Sequence, residues 1–124
     1  MNSERFNRGS EIIWQMDGKR LGGGEGEKIT QMDEMDPLGK YTHEYVYGDI
    51  YCRNVISMRE RLLINVTVVA TLGGCESLLK DHMIRAMKNG VTREDLEEVI
   101  LLISAYAGFP RAILAKRMLD EIPD

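Results

Sequence analysis

Apolar residues recur at intervals of three and four along most of the chain, which is the spacing of one face of an α-helix. The stripe formed by Leu79, His82, Met83 and Ala86 is a clear example. Capping residues, prolines and glycines separate these periodic segments and set the expected helix ends. Helices are therefore predicted over residues 5–17, 36–47, 57–72, 75–90, 92–107 and 110–119. This pattern predicts an all-α fold, a compact bundle of five to six helices.

In the segment 62–72, the residue propensities and the preceding capping pattern favour different secondary structures. It is rich in valine, isoleucine and threonine, which would also suit a buried strand. Ser57 and Glu60 precede it as a capping box, and this favours a helix. Because the helix is apolar nearly all round, we expect it to be central and buried. The last three helices are rich in apolar residues, and we expect another subunit to cover part of this apolar surface.

Length and composition narrow the class of protein. A chain of 124 residues fits a single domain, residues 1–124. The net charge of −4 argues against a nucleic-acid binder. No apolar stretch is long enough for a membrane span, and residues 1–5 lack the apolar core of a secretory signal, so the cytoplasm is the expected compartment. The glycine-rich segment 18–27 lacks the spacing of a phosphate-binding loop and is expected to connect helices flexibly.

His82 is the first candidate for chemistry, because it lies on an apolar helix face. Two interpretations fit this position: a core histidine satisfied by one hydrogen bond, or a general acid–base in a partly dry pocket, a role that suits its ordinary pKa of about 6.5. Cys75 lies at the start of the same helix, where the helix dipole favours a thiolate. The two residues are about 10 Å apart along the axis. Position 78 is leucine, so no vicinal dithiol is present, and the spacing of Cys52 and Cys75 is not that of a metal site.

Three arginines, Arg53, Arg59 and Arg61, flank the start of the helix 57–72. An arginine can hold a carboxylate through two parallel hydrogen bonds, which makes all three candidates for substrate binding. They could equally be surface residues that pair with carboxylates such as Glu60 and Asp49.

Five segments, in this order along the chain, resemble the motifs of one protein family. They are residues 47–53 (YGDIYCR), 57–61 (SMRER), 82–92 (HMIRAMKNGVT), 94–98 (EDLEE) and 106–110 (YAGFP). The family is that of the carboxymuconolactone decarboxylases, which also includes the alkylhydroperoxidase D proteins. The resemblance covers about residues 40–120. It implies an alkylhydroperoxidase D-like all-α fold that assembles as a homo-oligomer, a hexamer or trimer.

In the decarboxylase branch, the resemblance implies decarboxylation of a small carboxylated unsaturated lactone without a cofactor. The electrons left by the departing CO2 are delocalised through the ring double bond into the lactone carbonyl. The protein has to supply cations that anchor carboxylates and a proton donor at the far carbon. By this resemblance His82 is the proton donor, and Arg53 with Arg59 or Arg61 anchors carboxylates. Tyr106, at the end of a helix, is a further candidate for substrate binding, with packing as the alternative.

Two other functions stay open at this point. The peroxidase branch of the family uses a CxxC pair, a downstream histidine and an upstream glutamate. Cys75 and His82 match this set, whereas Leu78 and Leu62 stand where the second cysteine and the glutamate are expected. A peroxiredoxin- or alkylhydroperoxidase-type activity of Cys75 would therefore need a resolving thiol from elsewhere, such as Cys52. The remaining alternative is a family member without catalysis that binds a small acid or serves in assembly.

Overall fold

A computed structural model of the chain describes residues 2–18 and 35–124. The regular elements within these two ranges are all helical, as the apolar pattern predicted. They are α1 (Glu4–Asp17), α2 (Pro37–Tyr41), a π-helix (Thr42–Tyr51), α3 (Met58–Leu72), α4 (Glu76–Lys88), α5 (Arg93–Tyr106) and α6 (Phe109–Asp120). Apart from Gly18, which caps the end of α1, the predicted glycine-rich connection 18–27 lies outside the described residues.

The chain forms two compact units, an N-terminal unit, Met1–Ile56, and a C-terminal unit, Ser57–Asp124. The N-terminal unit holds α1, α2 and the π-helix, and the C-terminal unit holds α3 to α6. The single domain over residues 1–124 stays a prediction. Among the described helices, none combines the length and the apolar character that crossing a membrane requires.

The N-terminal unit is built on a close crossing of α1 and the π-helix. Two glycines make this crossing possible. A Cβ atom on Gly9 would lie 2.2 Å from the backbone oxygen of His43, and a Cβ atom on Gly48 would lie 2.1 Å from that of Arg5. Both distances are far below van der Waals contact, so the two backbones can approach this closely only where no side chain intervenes.

The expected end of the second helix at Gly48 is wrong. The helix begins as predicted, with the Asp36 side chain accepting a hydrogen bond from the Gly39 amide at 2.7 Å and with Pro37 in the first position. It then continues through Gly48 as a π-helix and ends at Tyr51. The glycine serves the packing of α1 against the π-helix, so a tertiary contact and not helix termination explains it.

Asp49 ties the two crossing helices together by charge. The guanidinium groups of Arg5 and Arg8, both on α1, pair with this carboxylate at 2.8 and 3.3 Å. Arg8 Nε also donates to the carbonyl of Gly48 at 2.9 Å. The hydrogen bond from Arg5 holds the pKa of Asp49 below its ordinary value.

Two neighbouring polar residues of the π-helix, His43 and Glu44, are buried. The His43 ring stacks on Phe6 with ring centroids 4.2 Å apart, and its Nε2 lies 2.8 Å from the hydroxyl of Ser10. Glu44 accepts a hydrogen bond from the hydroxyl of Ser3, the N-cap of α1. Burial disfavours the charged imidazolium and lowers the pKa of His43, although a hydrogen bond with the Phe6 backbone and the charge of Glu44 act in the opposite direction.

Capping boxes fix where α3 and α5 begin. Ser57 and Glu60 form the predicted capping box of α3, and Thr92 forms a second one with Asp95 at the start of α5. Backbone and side-chain hydrogen bonds from Ser57 lower the pKa of Glu60. The predicted starts of α4 and α6 are confirmed to within one residue. Local polar contacts therefore set the starts of α3 and α5 that the sequence indicated.

The helix α3 is not buried all round, contrary to the expectation from its composition. Within the C-terminal unit, α4, α5 and α6 contact α3, and one face of α3 is buried through Leu62, Val66 and Ala70. Other α3 side chains are 52–68% exposed, namely Ile64, Val68 and Leu72. Large apolar side chains of α5 and α6 are exposed as well, among them Leu101, Leu102, Tyr106, Phe109 and Ile113. Coverage of this surface by another subunit stays a prediction.

Replacing Gly48 by alanine is expected to destabilise the N-terminal unit by about 3 kcal/mol, because the new Cβ atom would overlap the α1 backbone. The matched control is Gly39→Ala in α2, where the nearest atoms are side-chain atoms of Asp36 and Met35 at 3.1 Å, so that a shift of a few tenths of an ångström makes room. Urea unfolding followed by the fluorescence of Trp14, the single tryptophan and a residue of α1, measures both variants. Equal stability of the two variants would contradict the close crossing.

Lowering the pH from about 7.5 to about 5.5 is expected to destabilise the N-terminal unit through His43. Because the pKa of folded His43 lies below its ordinary value, the unfolded chain takes up the proton first. The stabilisation is fully present above about pH 6.5 and is lost as the pH falls towards the folded pKa. Asp49, with its lowered pKa, stays ionised over this range. Trp14 fluorescence should report a smaller loss of unfolding free energy for His43→Gln than for the unaltered chain, and an equal loss would rule out His43 as the cause.

Candidate functional site

The start of α4 carries Cys75, one of the two predicted catalytic residues. Cys75 is the N-cap residue of the helix, with no capping hydrogen bond from its side chain. Its Sγ lies 3.5 Å from the backbone oxygens of Val69 and Gly73, close to the end of α3. The thiol is free and half-buried, so the turn between α3 and α4 holds it near the surface of the C-terminal unit.

His82, the predicted proton donor, lies on the inner face of α4. Its neighbours on this face, Leu79, Met83 and Ala86, are buried. His82 itself is half-buried, with its Nδ1 atom shielded from solvent. It follows Cys75 by seven residues, which is about 10 Å along the helix axis. The helix therefore keeps the thiol and the imidazole too far apart for a direct hydrogen bond.

A shallow pocket, open to solvent, lies beside Cys75 between α3, α4 and α6. Most of its wall is apolar, and three of its side chains are polar. The lining residues are Val69, Ala70, Gly73, Cys75, Glu76, Leu79, Arg111 and Leu114. His82 is not among them, but it follows Leu79 by one helical turn on the same face of α4. The pocket thus contains the predicted thiol of Cys75, the cation of Arg111 and the carboxylate of Glu76. It ends at Leu79, one helical turn before His82, the predicted proton donor.

Arg111 contributes the cation of the pocket. It lies in the first turn of α6, and its side chain is half-buried. The guanidinium group lies over Gly73: a Cβ atom built on that glycine would be 1.8 Å from its nearest nitrogen. Gly73 also has a φ of 73°, which side-chain-bearing residues rarely adopt. Glycine at this position both ends α3 and leaves room for the guanidinium group.

Arg59, a predicted substrate anchor, is engaged in an ion pair. Its guanidinium group contacts the Asp95 carboxylate at 2.5 Å and donates to the backbone oxygen of Gly90 at 3.2 Å. These contacts link the start of α3 to the start of α5. Hydrogen bonds from Thr92, followed by that from Arg59, lower the pKa of Asp95. A substrate-binding role of Arg59 stays a prediction, and binding there would compete with Asp95.

The structure places the other predicted binding residues on separate elements. Arg61 is a half-buried residue of α3 in the C-terminal unit, and Arg53 is an exposed residue of the N-terminal unit that follows the π-helix. Tyr106, the last residue of α5, is 89% exposed. None of the three lines the pocket beside Cys75. Their roles in substrate binding stay predictions.

The residues that bear on thiol chemistry are Leu78, Leu62 and Cys52. Leu78 follows Cys75 by three residues in α4 and is 57% exposed. Leu62 is fully buried in α3. Cys52, at the end of the π-helix, is a free thiol that donates to the Gly48 carbonyl at 3.0 Å. The C-terminal unit therefore contains one thiol, that of Cys75.

Sequence reasoning missed Glu76 and Arg111, the two charged residues of the pocket. Glu76 is the first residue of α4 and Arg111 directly follows the YAGFP segment, so each adjoins a residue or motif that the sequence singled out. The signal for Arg111 was its spacing from Leu114, which places both residues on one face of α6. Nothing in the linear spacing connects that face to Cys75. Within residues 2–18 and 35–124, no group of three or more histidine, cysteine, aspartate or glutamate side chains is arranged to hold a metal ion.

Comparison with known proteins gives a family and a relative. The family model of the carboxymuconolactone decarboxylases matches residues 36–121, which include α2, the π-helix and the whole of α3 to α6. A 4-carboxymuconolactone decarboxylase from Acinetobacter baylyi is 28% identical over 123 residues, which cover 98% of this chain and 90% of the relative. With the helical fold described above, these findings confirm the resemblance of the five sequence segments: the chain belongs to the carboxymuconolactone decarboxylase family.

Proposed function

We propose that this protein is a cofactor-free carboxy-lyase that decarboxylates a small carboxylated unsaturated lactone of the 4-carboxymuconolactone type. The proposal is supported by the family match and by the name of the relative that aligns with nearly the whole chain. The observation that carries it is the position of His82, a half-buried imidazole on the face of α4 that lines the pocket through Leu79. Arg111 of α6 supplies a cation to that pocket.

The proposed reaction needs one bond cleavage and one proton transfer. The bond between the ring and its carboxylate breaks, and the carboxylate leaves as CO2. The electron pair of that bond is delocalised through the ring double bond into the lactone carbonyl, which gives an extended enolate. The imidazolium of His82 then donates a proton to the far carbon of this enolate. Histidine suits the step because both of its protonation states are accessible near neutral pH.

Carboxylate anchoring is the second task of the proposed site. The sequence assigned it to Arg53, Arg59 and Arg61, and these residues remain candidates. Cations beside a carboxylated substrate hold it in one orientation and so bring the reacting carbon towards the proton donor. Arg61 is a half-buried candidate on α3, whereas Arg59 would first have to release Asp95.

Peroxidase chemistry is the less favoured alternative for this site. A two-thiol peroxide cycle needs a second cysteine that forms a disulfide with the one oxidised by peroxide. Within α4, position 78 is leucine, so no such thiol lies one turn from Cys75. Decarboxylation by the mechanism above needs no thiol, and it is therefore the function that these residue types favour.

Assembly with further copies of the chain is part of the proposal. α3, α5 and α6 expose apolar side chains. Contact with a second copy of the chain would remove this apolar surface from water. A hexamer or trimer, as the resemblance implies, would account for the uncovered side of α3.

Replacing His82 by glutamine is expected to lower the rate of CO2 release from 4-carboxymuconolactone by about 10²- to 10⁴-fold, the usual contribution of a general acid. The comparison variant is Cys75→Ser, which retains the shape of the residue and is expected to lose less than about tenfold, because the proposed steps involve no thiol. Circular dichroism of both variants checks that the helices are retained.

Hydroperoxide consumption is measured in parallel with CO2 release. Activity of the unaltered protein on hydroperoxide alone, abolished by Cys75→Ser, would refute the decarboxylase and establish the peroxidase. Failure to turn over either compound would refute both and favour a binding or assembly protein. Full CO2 release by His82→Gln would remove His82 from the mechanism.

A further inference from the structure

We propose that Arg111 binds a carboxylate of the substrate in the pocket beside Cys75. The identity of the acid rests on the proposed function, whereas the site itself rests on the geometry of α3, α4 and α6. Arg111 is not one of the three arginines to which the sequence analysis assigned carboxylate binding. It is the arginine that lines the pocket.

The first observation is that Arg111 forms no ion pair with a described carboxylate. Elsewhere in the described chain, Arg5, Arg59 and Arg93 form ion pairs with carboxylates. Within residues 2–18 and 35–124, Arg111 has neither a hydrogen bond nor an ion pair. Its guanidinium group is half-buried and carries five N–H donors, and such donors gain most from a bound acceptor where water is partly excluded.

The second observation is the shape around the guanidinium group. Gly73 lies beneath it without a side chain, and the pocket wall continues over Val69, Ala70 and Leu114. A carboxylate matches the planar fork of arginine through two parallel hydrogen bonds, and apolar walls strengthen such bonds. The pocket is shallow and open to solvent, so it can receive a carboxylate at its surface without enclosing the rest of the acid.

The chemistry of decarboxylation indicates which carboxylate Arg111 binds. A 4-carboxymuconolactone has two, one on the ring and one on an acetate side chain. The ring carboxylate leaves as neutral CO2, so a cation that binds it would stabilise the substrate more than the transition state and would slow the reaction. The acetate carboxylate keeps its charge throughout. Arg111 accordingly fits the acetate side chain, which it can hold without opposing the departure of CO2.

Glu76 provides an internal contrast in the same pocket. It is a half-buried residue of the first turn of α4 and does not pair with Arg111. Its negative charge opposes the binding of an anion, while that of Arg111 favours it. The two residues should therefore have opposite effects on the affinity for an acid, and a general loss of structure would not produce this result.

The test is titration calorimetry of the full chain with muconolactone, which retains the acetate carboxylate and lacks the one that leaves, and with its uncharged methyl ester. Arg111→Gln is expected to weaken the binding of the acid by about tenfold or more and to leave that of the ester unchanged. Glu76→Gln is expected to tighten the binding of the acid. The matched control is Arg117→Gln, which removes an exposed arginine from the same helix, outside the pocket, and is expected to change neither affinity.

The outcomes separate this proposal from the proposed function. Turnover of 4-carboxymuconolactone with the same KM and the same affinity for muconolactone in Arg111→Gln would overturn the Arg111 site and leave the decarboxylase intact. Binding of muconolactone that depends on Arg111, without any CO2 release, would support the site and overturn the decarboxylase. Equal losses of affinity in Arg111→Gln and Arg117→Gln would overturn the site, because they would reflect net charge alone.

Discussion

The left-handed turn at Gly73 and Gly74 is the constraint on which the candidate site depends. The φ angles of the two glycines are 73° and 72°, a backbone conformation that side-chain-bearing residues rarely adopt. The turn ends α3 and lets α4 begin at Glu76, so that Cys75 meets the last carbonyl groups of α3. At the same time, the missing side chain at position 73 leaves space for the guanidinium group of Arg111. This turn thus determines the positions of the Cys75 thiol, of part of the pocket wall and of the Arg111 guanidinium group.

Sequence reasoning predicted the starts of α3 and α5 because local contacts fix them. Each capping box joins residues three apart, as in Ser57 with Glu60, so the right residue types at that spacing are sufficient. The inner face of α4 follows from the same kind of rule, since its buried positions repeat with the helical period. For this reason the place of His82 on that face could be read from the chain, while its chemical role could not.

Sequence reasoning failed where the reason for a residue lies in a distant part of the chain. Gly48 resembled a helix end, but it serves a backbone contact with Arg5. The composition of α3 predicted complete burial, because an apolar pattern does not distinguish a core from a face left uncovered within the unit. Arg111 has no spacing rule that connects it to Gly73 or to Cys75. Such contacts exist only once the helices have packed.

The charges of the pocket, taken with the proposed function, match the course of a decarboxylation. A substrate with two carboxylates begins the reaction with two negative charges and loses one of them from its ring position as neutral CO2. A cation at the retained carboxylate, such as Arg111, orients the molecule at every stage. Under the same proposal, an anion such as Glu76 would repel a ring carboxylate close to it. This repulsion would be relieved when CO2 forms, which would lower the barrier relative to the bound substrate. A pocket that contains one cation and one carboxylate would in this way favour the transition state over the substrate.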